Sequence, residues 1–343
     1  MQLQQNVSLY PYNTFHIHAT AKYFAAFTTL DELQEALDFF YKQQSTSTPQ
    51  DLLVLGGGSN ILFTKDIDGL VLKNEMHGIE VVDESEEFYY VQSAAGENWH
   101  QLVMYCVAHN YAGMENLSLI PGSVGASPMQ NIGAYGVEIK DIFHQLQAYD
   151  LLEKTIVNFD SGECHFGYRE SVFKHQYKGR FVILNVTFKL RKTPVFNIAY
   201  GAIKEELEKT GVQELSIRAI SQAVINIRKS KLPDPAVIGN AGSFFKNPVI
   251  DNAHFYRLKE TFPTIAGYAA GRQQTKVAAG WLIEQCGWKG YRNGDAGCYN
   301  KQALVLVNYG NATGGDIYNL STAIIRSVQD KFGITLEREV NIL

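Results

Sequence analysis

Pro121-Gly122-Ser123-Val124-Gly125-Ala126-Ser127-Pro128-Met129-Gln130-Asn131-Ile132-Gly133-Ala134-Tyr135-Gly136 is the stretch whose reading decides the fold. It holds four glycines, two prolines, two serines and no charged side chain. Its prolines exclude a regular helix and argue against a central strand. Glycines admit positive φ and let backbone approach a ligand closely, and successive exposed N–H groups in such loops make nests for anions. A plain Gly-rich surface loop is the competing reading. Loops of this length inside compact domains are usually functional or disordered, and the apolar flanks (Leu117, Leu119, Ile120, Val137, Ile139) argue against disorder.

A second loop of the same kind lies upstream. Leu52-Leu53-Val54-Leu55 reads as a buried strand, Gly56-Gly57-Gly58-Ser59-Asn60 follows directly, and Ile61-Leu62-Phe63 resumes an apolar run. Neither the G-x-G-x-x-G fingerprint opening a helix nor the G-x-x-x-x-G-K-[ST] phosphate loop is present. Two glycine loops in the N-terminal half therefore suggest a nucleotide or dinucleotide held by another fold.

The totals bound the rest. A chain of 343 residues accommodates two or three domains. A hydrophobic fraction of 45% and charged fraction of 19% are those of an ordinary globular protein. A net charge of −5 carries no bulk footprint for nucleic acid. No apolar run reaches the ~20 residues that span a bilayer, and Met1-Gln2-Leu3-Gln4-Gln5 lacks a signal peptide's basic start and apolar core. The four cysteines (Cys106, Cys164, Cys286, Cys298) are scattered, with no C-x-x-C or H-E-x-x-H pair, so free thiols in a reducing cytoplasm are expected. His16-x-His18 lacks a third ligand, and no metal is expected.

Thr29 and Glu32 read as a capping box opening a helix over 30–42, which the polar run 43–50 ends. Strands are expected near 23–27, 52–55, 88–95, 143–149, 154–159 and 181–190, with a helical stripe at Trp99, Leu102, Val103, Cys106 and Val107. Pro194 marks a boundary near 192–200. Beyond it lie helices over 217–227, 255–262, 279–286 and 317–328, a strand at 303–307 and a strand-like end over 334–342. Strands and helices without a regular βα repeat give an α+β class.

Several side chains could carry chemistry. Ser243 sits in Gly239-Asn240-Ala241-Gly242-Ser243-Phe244-Phe245-Lys246-Asn247-Pro248. No G-x-S-x-G elbow frames it, so nucleophilic hydrolysis is unsupported; it is either a proton donor or a turn serine. Arg228-Lys229-Ser230-Lys231 closes a helix, as cations favoured at a C-terminus or as a diphosphate or carboxylate clamp. Arg169 in Phe166-Gly167-Tyr168-Arg169-Glu170-Ser171 suits two-point grip of a carboxylate, or pairs structurally with Glu170 or Asp160. Glu337 and Glu339 share one face of the terminal run, which either lines a cleft or is solvated.

These motifs, in this order, resemble the flavin-dependent UDP-N-acetylenolpyruvoylglucosamine reductases of bacterial peptidoglycan synthesis. The resemblance runs from Asn13-Thr14-Phe15 to Glu337-Arg338-Glu339-Val340, and Tyr200-Gly201 is similar to the substrate-covering tyrosine loop of the family's first type. It implies a two-part FAD-binding region of the vanillyl-alcohol-oxidase (PCMH) type over 17–192 and an α+β C-terminal substrate domain over 200–343. Gly56, Gly57, Gly58, Ser59 and Asn60, with Gly122, Ser123, Gly125, Ser127, Ile132 and Gly133, would hold FAD. NADPH would reduce FAD, and hydride would then pass to the outer vinyl carbon of an enolpyruvyl ether. Arg169 and Glu339 would stabilise the charge that develops at the substrate carboxylate, with Glu339 protonated or acting through water, and Ser243 would supply the proton. Tyr168, Tyr200, Lys231, Asn247 and Gln302 would grip the UDP-sugar. The implied protein is a cytoplasmic monomer. Another flavin oxidoreductase on the same scaffold, or a binding module without turnover, are the competing readings. Two positions depart from the family pattern: Arg338 stands where proline is common, and Asn341 where arginine is common.

Overall fold

The structure is a computed structural model and describes residues 3–43 and 51–343. The helix stop expected across 43–50 falls at residues 44–50, outside the described residues. The chain forms two compact units, one of residues 1–7, 20–58 and 67–230, the other of 8–19, 59–66 and 231–343. Segment 201–230, expected to open the second domain, packs in the first unit.

The first unit contains two sheets. In one, strand Ile67–Asn74 lies between Thr20–Phe27 and Asp51–Leu55, parallel to both, with Gln4–Ser8 at the edge. Helix α1 (Leu30–Gln43) lays Leu33, Ala36, Leu37 and Phe40 on Ala25, Phe27, Leu70 and Leu72, the 3.6-residue stripe that sequence spacing anticipates. Its cap differs by one residue from the expected box. Thr29 Oγ1 accepts the Glu32 N–H at 3.2 Å, but the Glu32 carboxylate returns to the Thr28 N–H at 2.7 Å.

The other sheet is antiparallel, in the order Ile156–Asp160, Phe143–Asp150, Phe181–Arg191, Phe88–Ala94 and Ile79–Glu84. Helix α2 (Trp99–Ala108) covers it, with Trp99, Leu102, Val103, Cys106 and Val107 buried. The Trp99 indole N–H donates to the Leu117 carbonyl at 2.9 Å, satisfying the one polar atom of a buried ring. Helices α3 (Gly201–Lys209) and α4 (Ile217–Lys231) share a cluster of Ile203, Leu207, Ile220, Ala223, Val224 and Ile227.

In the second unit, Gly239–Ser243, Val305–Asn308, Ala296–Cys298 and Arg292–Asn293 make an antiparallel sheet, and Val249–Asp251, Gln274–Val277 and Gly267–Ala269 a smaller one. Helices α5 (Asn252–Thr261), α6 (Ala279–Gln285) and α7 (Gly314–Phe332) complete it. Gly287 (φ +82°) and Gly333 (φ +66°) follow the last turns of α6 and α7 in the left-handed conformation, as expected for C-caps. The terminal run differs from the strand expected over 334–342. It is extended with a single bridge at Arg338 and a strand only at Asn341–Ile342, which pairs in parallel with Ile61–Leu62. Its apolar alternation reports burial of Ile334, Leu336 and Val340, not a ladder.

The mixed α+β architecture is that expected. Among the described residues, no helix is long and apolar enough to cross a membrane. All four cysteines are free, and burial pushes the thiols of Cys164 and Cys298 up to about 12.

Candidate active site

In the first unit the two glycine loops touch. A Cβ on Gly56 would lie 2.1 Å from Ser123 Oγ, and one on Gly57 would lie 2.7 Å from the Gly122 Cα. A side chain is therefore excluded at Gly56, where the Ser123 hydroxyl fills the space, and at Gly57, which lies against the Gly122 backbone. The 121–136 loop is built rigidly. Trp99 N–H donates to the Gly122 carbonyl at 3.0 Å, Val124 N–H to Glu97 at 2.9 Å and Gly125 N–H to Ala95 at 2.9 Å. The N–H groups of Ser127 and Ile132 likewise donate inward, to the Val124 and Ser127 carbonyls. At Gly125, Ser127 and Ile132 the loop thus offers a ligand close approach, not backbone donors. A glycine-lined cradle of this kind, with the Ser123 hydroxyl at its centre, fits an extended dinucleotide such as FAD.

Arg169 lies on a short hairpin, Gly167 bridging Glu170, that is bound to this loop. Its φ of +58° is rare for a side chain with a Cβ. Several bonds hold it there. Arg169 Nη2 donates to the Gly133 carbonyl at 2.7 Å, Ser171 Oγ to the Met129 carbonyl at 2.7 Å and Asn131 Nδ2 to the Gly167 carbonyl at 2.9 Å. A Cβ on Gly133 would stand 3.2 Å from Arg169 Nη1, so the glycine makes room for the guanidinium. Glu170, an expected ionic partner of Arg169, has His175 Nε2 at 2.5 Å. Tyr168 stacks on Arg169 at 5.4 Å. Tyr200 is half exposed at the start of α3, edge-on to Tyr135 at 5.3 Å.

Tyr135, given no separate role in the sequence, and Arg228, the first cation of the cluster read there as a C-terminal charge or a clamp, stand beside these groups. Burial lowers the Arg228 guanidinium below its ordinary value, opposed by attraction to the Tyr135 hydroxyl. Arg228 Nε donates to the Leu119 carbonyl at 3.2 Å, while Leu119 N–H donates to His100 Nδ1 at 3.0 Å. Leu119, with φ +60°, is thereby gripped on both sides of its strained backbone.

In the second unit Ser243 ends a strand opposite Val305, and Phe244 N–H donates to the Leu304 carbonyl at 2.8 Å. On the other side Glu339 N–H donates to the Phe244 carbonyl at 2.8 Å, and Phe245 bridges Arg338. Ser243 and Glu339, ninety-six positions apart, therefore lie on hydrogen-bonded neighbouring segments, and both are half-buried. Glu337 is mostly exposed and holds the buried Lys246 Nζ at 2.5 Å. Asn247 Oδ1 accepts the Ala279 N–H at 2.9 Å, and Gln302 Oε1 would lie 2.9 Å from a Cβ on Gly280, so both flank the start of α6. Lys231 is exposed at the end of α4.

The two departing residues each have work. Arg338 Nε and Nη2 donate to Ser321 and Thr322 on α7 at 2.8 and 2.7 Å, and its guanidinium covers Tyr318. Asn341 bonds to Asn60. Thr14 was legible only as part of a motif: its Oγ1 donates to the Asn240 carbonyl at 2.6 Å. His16 and His18 lie beside Tyr10, His18 stacked on it at 4.5 Å, and among the described residues no cluster of three metal-ligating side chains occurs.

Comparison with known proteins agrees with this geometry. A family model for an FAD binding domain matches residues 21–155, and one for the C-terminal domain of UDP-N-acetylenolpyruvoylglucosamine reductase matches 234–343. Over its full length the chain is 47% identical to the reductase of that name from Flavobacterium johnsoniae, covering all of both chains. It is 48% identical to that from Amoebophilus asiaticus, again covering all of both, and 47% identical to that from Pseudomonas putida, covering 99% of it. The crystal structure of the Thermus caldophilus enzyme shares the fold, with a TM-score of 0.69 at 23% identity over 100% of this chain and 99% of that one. Fold and site thus define a flavin-dependent oxidoreductase that binds FAD. The chain belongs to the UDP-N-acetylenolpyruvoylglucosamine reductase family.

Proposed function

We propose that this chain reduces the enolpyruvyl ether of UDP-N-acetylglucosamine enolpyruvate to the lactyl ether of UDP-N-acetylmuramate, for peptidoglycan precursor synthesis, with NADPH as electron source. The support is family membership over the whole chain. The observation that carries the chemistry is the Glu339-to-Phe244 hydrogen bond, which seats an acid and a hydroxyl on adjacent segments.

When bound, FAD supplies the two-electron chemistry between NADPH and the outer vinyl carbon. Gly56, Gly57, Gly58, Ser59, Asn60, Gly122, Ser123, Gly125, Ser127, Ile132 and Gly133 hold it. The protein's own side chains then manage charge. Hydride addition leaves a carbanion conjugated with the carboxylate, and a cation held there favours the transition state over the ground state. Arg169 is that cation, its guanidinium fixed in direction by the Gly133 carbonyl. Glu339 shares the carboxylate. Ser243 Oγ gives a proton to the carbon bearing the carboxylate and regains one from solvent, so one hydride and one proton saturate the double bond. Tyr168, Tyr200, Lys231, Asn247 and Gln302 bind the UDP-sugar, Lys231 facing its diphosphate. Residues 17–192 act as the FAD region and 200–343 as the substrate domain, in a cytoplasmic monomer.

The test follows NADPH oxidation with and without the enolpyruvyl UDP-sugar. Sugar-dependent oxidation is expected, with flavin released on denaturation. Protein that is colourless and cannot be reconstituted with FAD, or turnover with oxygen alone, would overturn the reading.

A further inference from the structure

Asn341 is tied to a segment 281 positions away in sequence. Its backbone N–H and its side-chain Nδ2 both donate to the Asn60 carbonyl, each at 3.0 Å. Asn60 Nδ2 reaches back toward the Glu339 carbonyl at 3.4 Å. Two residues on, Leu343 N–H donates to the Leu62 carbonyl at 3.0 Å, and the Leu343 carbonyl accepts from both Thr64 N–H and Oγ1 at 2.7 Å. Asn60 is the last residue of the glycine loop assigned to FAD, and Glu339 is the proposed acid.

We infer that Asn341 is a positioning residue that locks the end of the FAD loop and the Glu339 backbone into one hydrogen-bonded unit. The inference rests on the reading of 56–60 as an FAD loop. The strand pairing here is only Asn341–Ile342 against Ile61–Leu62, too short a ladder to hold its own register. The side-chain amide adds a second donor to one carbonyl oxygen, which has two lone pairs to fill. With that carbonyl aimed at residue 341, the planar trans peptide sends the Ile61 N–H the opposite way. The amide thus sets the direction of the peptide with which the glycine loop ends.

The experiment titrates FAD into apoprotein of the wild type, Asn341→Ala and Asn341→Asp, following flavin fluorescence, and then measures kcat and KM at saturating FAD. Residue 341 is exposed, so both variants fold, which circular dichroism checks. Loss of one hydrogen bond gives an FAD dissociation constant about five- to tenfold higher in Asn341→Ala. Asn341→Asp, of equal size but with only acceptors facing a carbonyl, gives a larger rise. In both, kcat falls while KM for the UDP-sugar stays within about twofold. A role in packing alone would leave the isosteric aspartate unaffected. FAD dissociation constants within twofold of wild type in both variants overturn the inference, whatever happens to kcat. Wild-type protein that takes up no FAD overturns the function proposed above instead.

Discussion

Ser243 and Glu339 draw their chemistry from position, since neither is chemically unusual. The hydroxyl is held by a strand whose next residue is hydrogen-bonded on both sides, to Leu304 and to Glu339. Its reach is therefore fixed by backbone and not by a base. Ser243→Ala removes the proton without disturbing that backbone. Flavin reduction by NADPH and FAD content should match the wild type, while sugar reduction falls about 10²- to 10⁴-fold, the usual worth of a positioned proton donor. Stopped-flow traces of flavin reoxidation by the UDP-sugar read this directly; reoxidation at the wild-type rate removes Ser243 from the mechanism. Glu337 and Glu339 were indistinguishable in the sequence, one residue apart on one face. The structure differentiates them by what it shows of each: the Glu337 carboxylate pairs with the buried Lys246 ammonium, and the Glu339 backbone is bound to Phe244, the residue after Ser243.

The element that organises the first unit is the 121–136 loop, and Asn131 is its fastener. It is fully buried at φ +45°, and its amide donates to Gly167 and Glu138 while its oxygen accepts the Lys140 N–H at 3.1 Å. Asn131→Ala strands those partners and should cost about 2–4 kcal/mol in urea unfolding; a loss under about 1 kcal/mol would mean that the loop is held elsewhere. His100 makes the segment that leads into this loop sensitive to acid. Its Nδ1 accepts from Leu119, and burial, then Arg228 and Lys229, push its pKa below the ordinary value. Folding thus favours the neutral ring. Its contribution is complete above about pH 6.5 and drains away as pH falls from there toward the folded-state value. Melting midpoints taken from pH 7.5 to 5 should fall more steeply in wild type than in His100→Gln; equal slopes would acquit the histidine. The glycine-rich run was legible as a site because composition alone forbids helix and strand there. The middle strand Ile67–Asn74 was not, since burial along nearly its whole length erases alternation and Asp68-Gly69 interrupts it. Helix α3, with Ile203 and Leu207 its only buried side chains, left too little pattern to read.

At the scale of the whole molecule, the order of residues along the chain misleads about which of them fold together. A split near 192–200 follows from Pro194 and the change of pattern, yet no local pattern could announce that 8–19 and 59–66 pack with 231–343. Their ties are specific. Asn308 Nδ2 donates to the Phe15 carbonyl at 2.9 Å, Asn240 N–H to the Thr14 carbonyl at 2.9 Å, and a Cβ on Gly239 would sit 2.4 Å from the Phe15 carbonyl oxygen. These two segments also contribute Leu9, Phe15, Ile17, Leu62 and Phe63, each 2% exposed or less. Burying one such side chain contributes roughly 1.5–3 kcal/mol, so the five amount to about 8–15 kcal/mol as an upper figure. The whole stability of a domain is about 5–15 kcal/mol. A fragment of residues 231–343 therefore lacks what it needs to fold, although the matched C-terminal family domain nearly coincides with it. Expressed alone, it should show no cooperative thermal transition by circular dichroism and should bind a hydrophobic dye such as ANS. A sharp melt in that fragment would mean that the two N-terminal segments decorate this unit and do not complete its core.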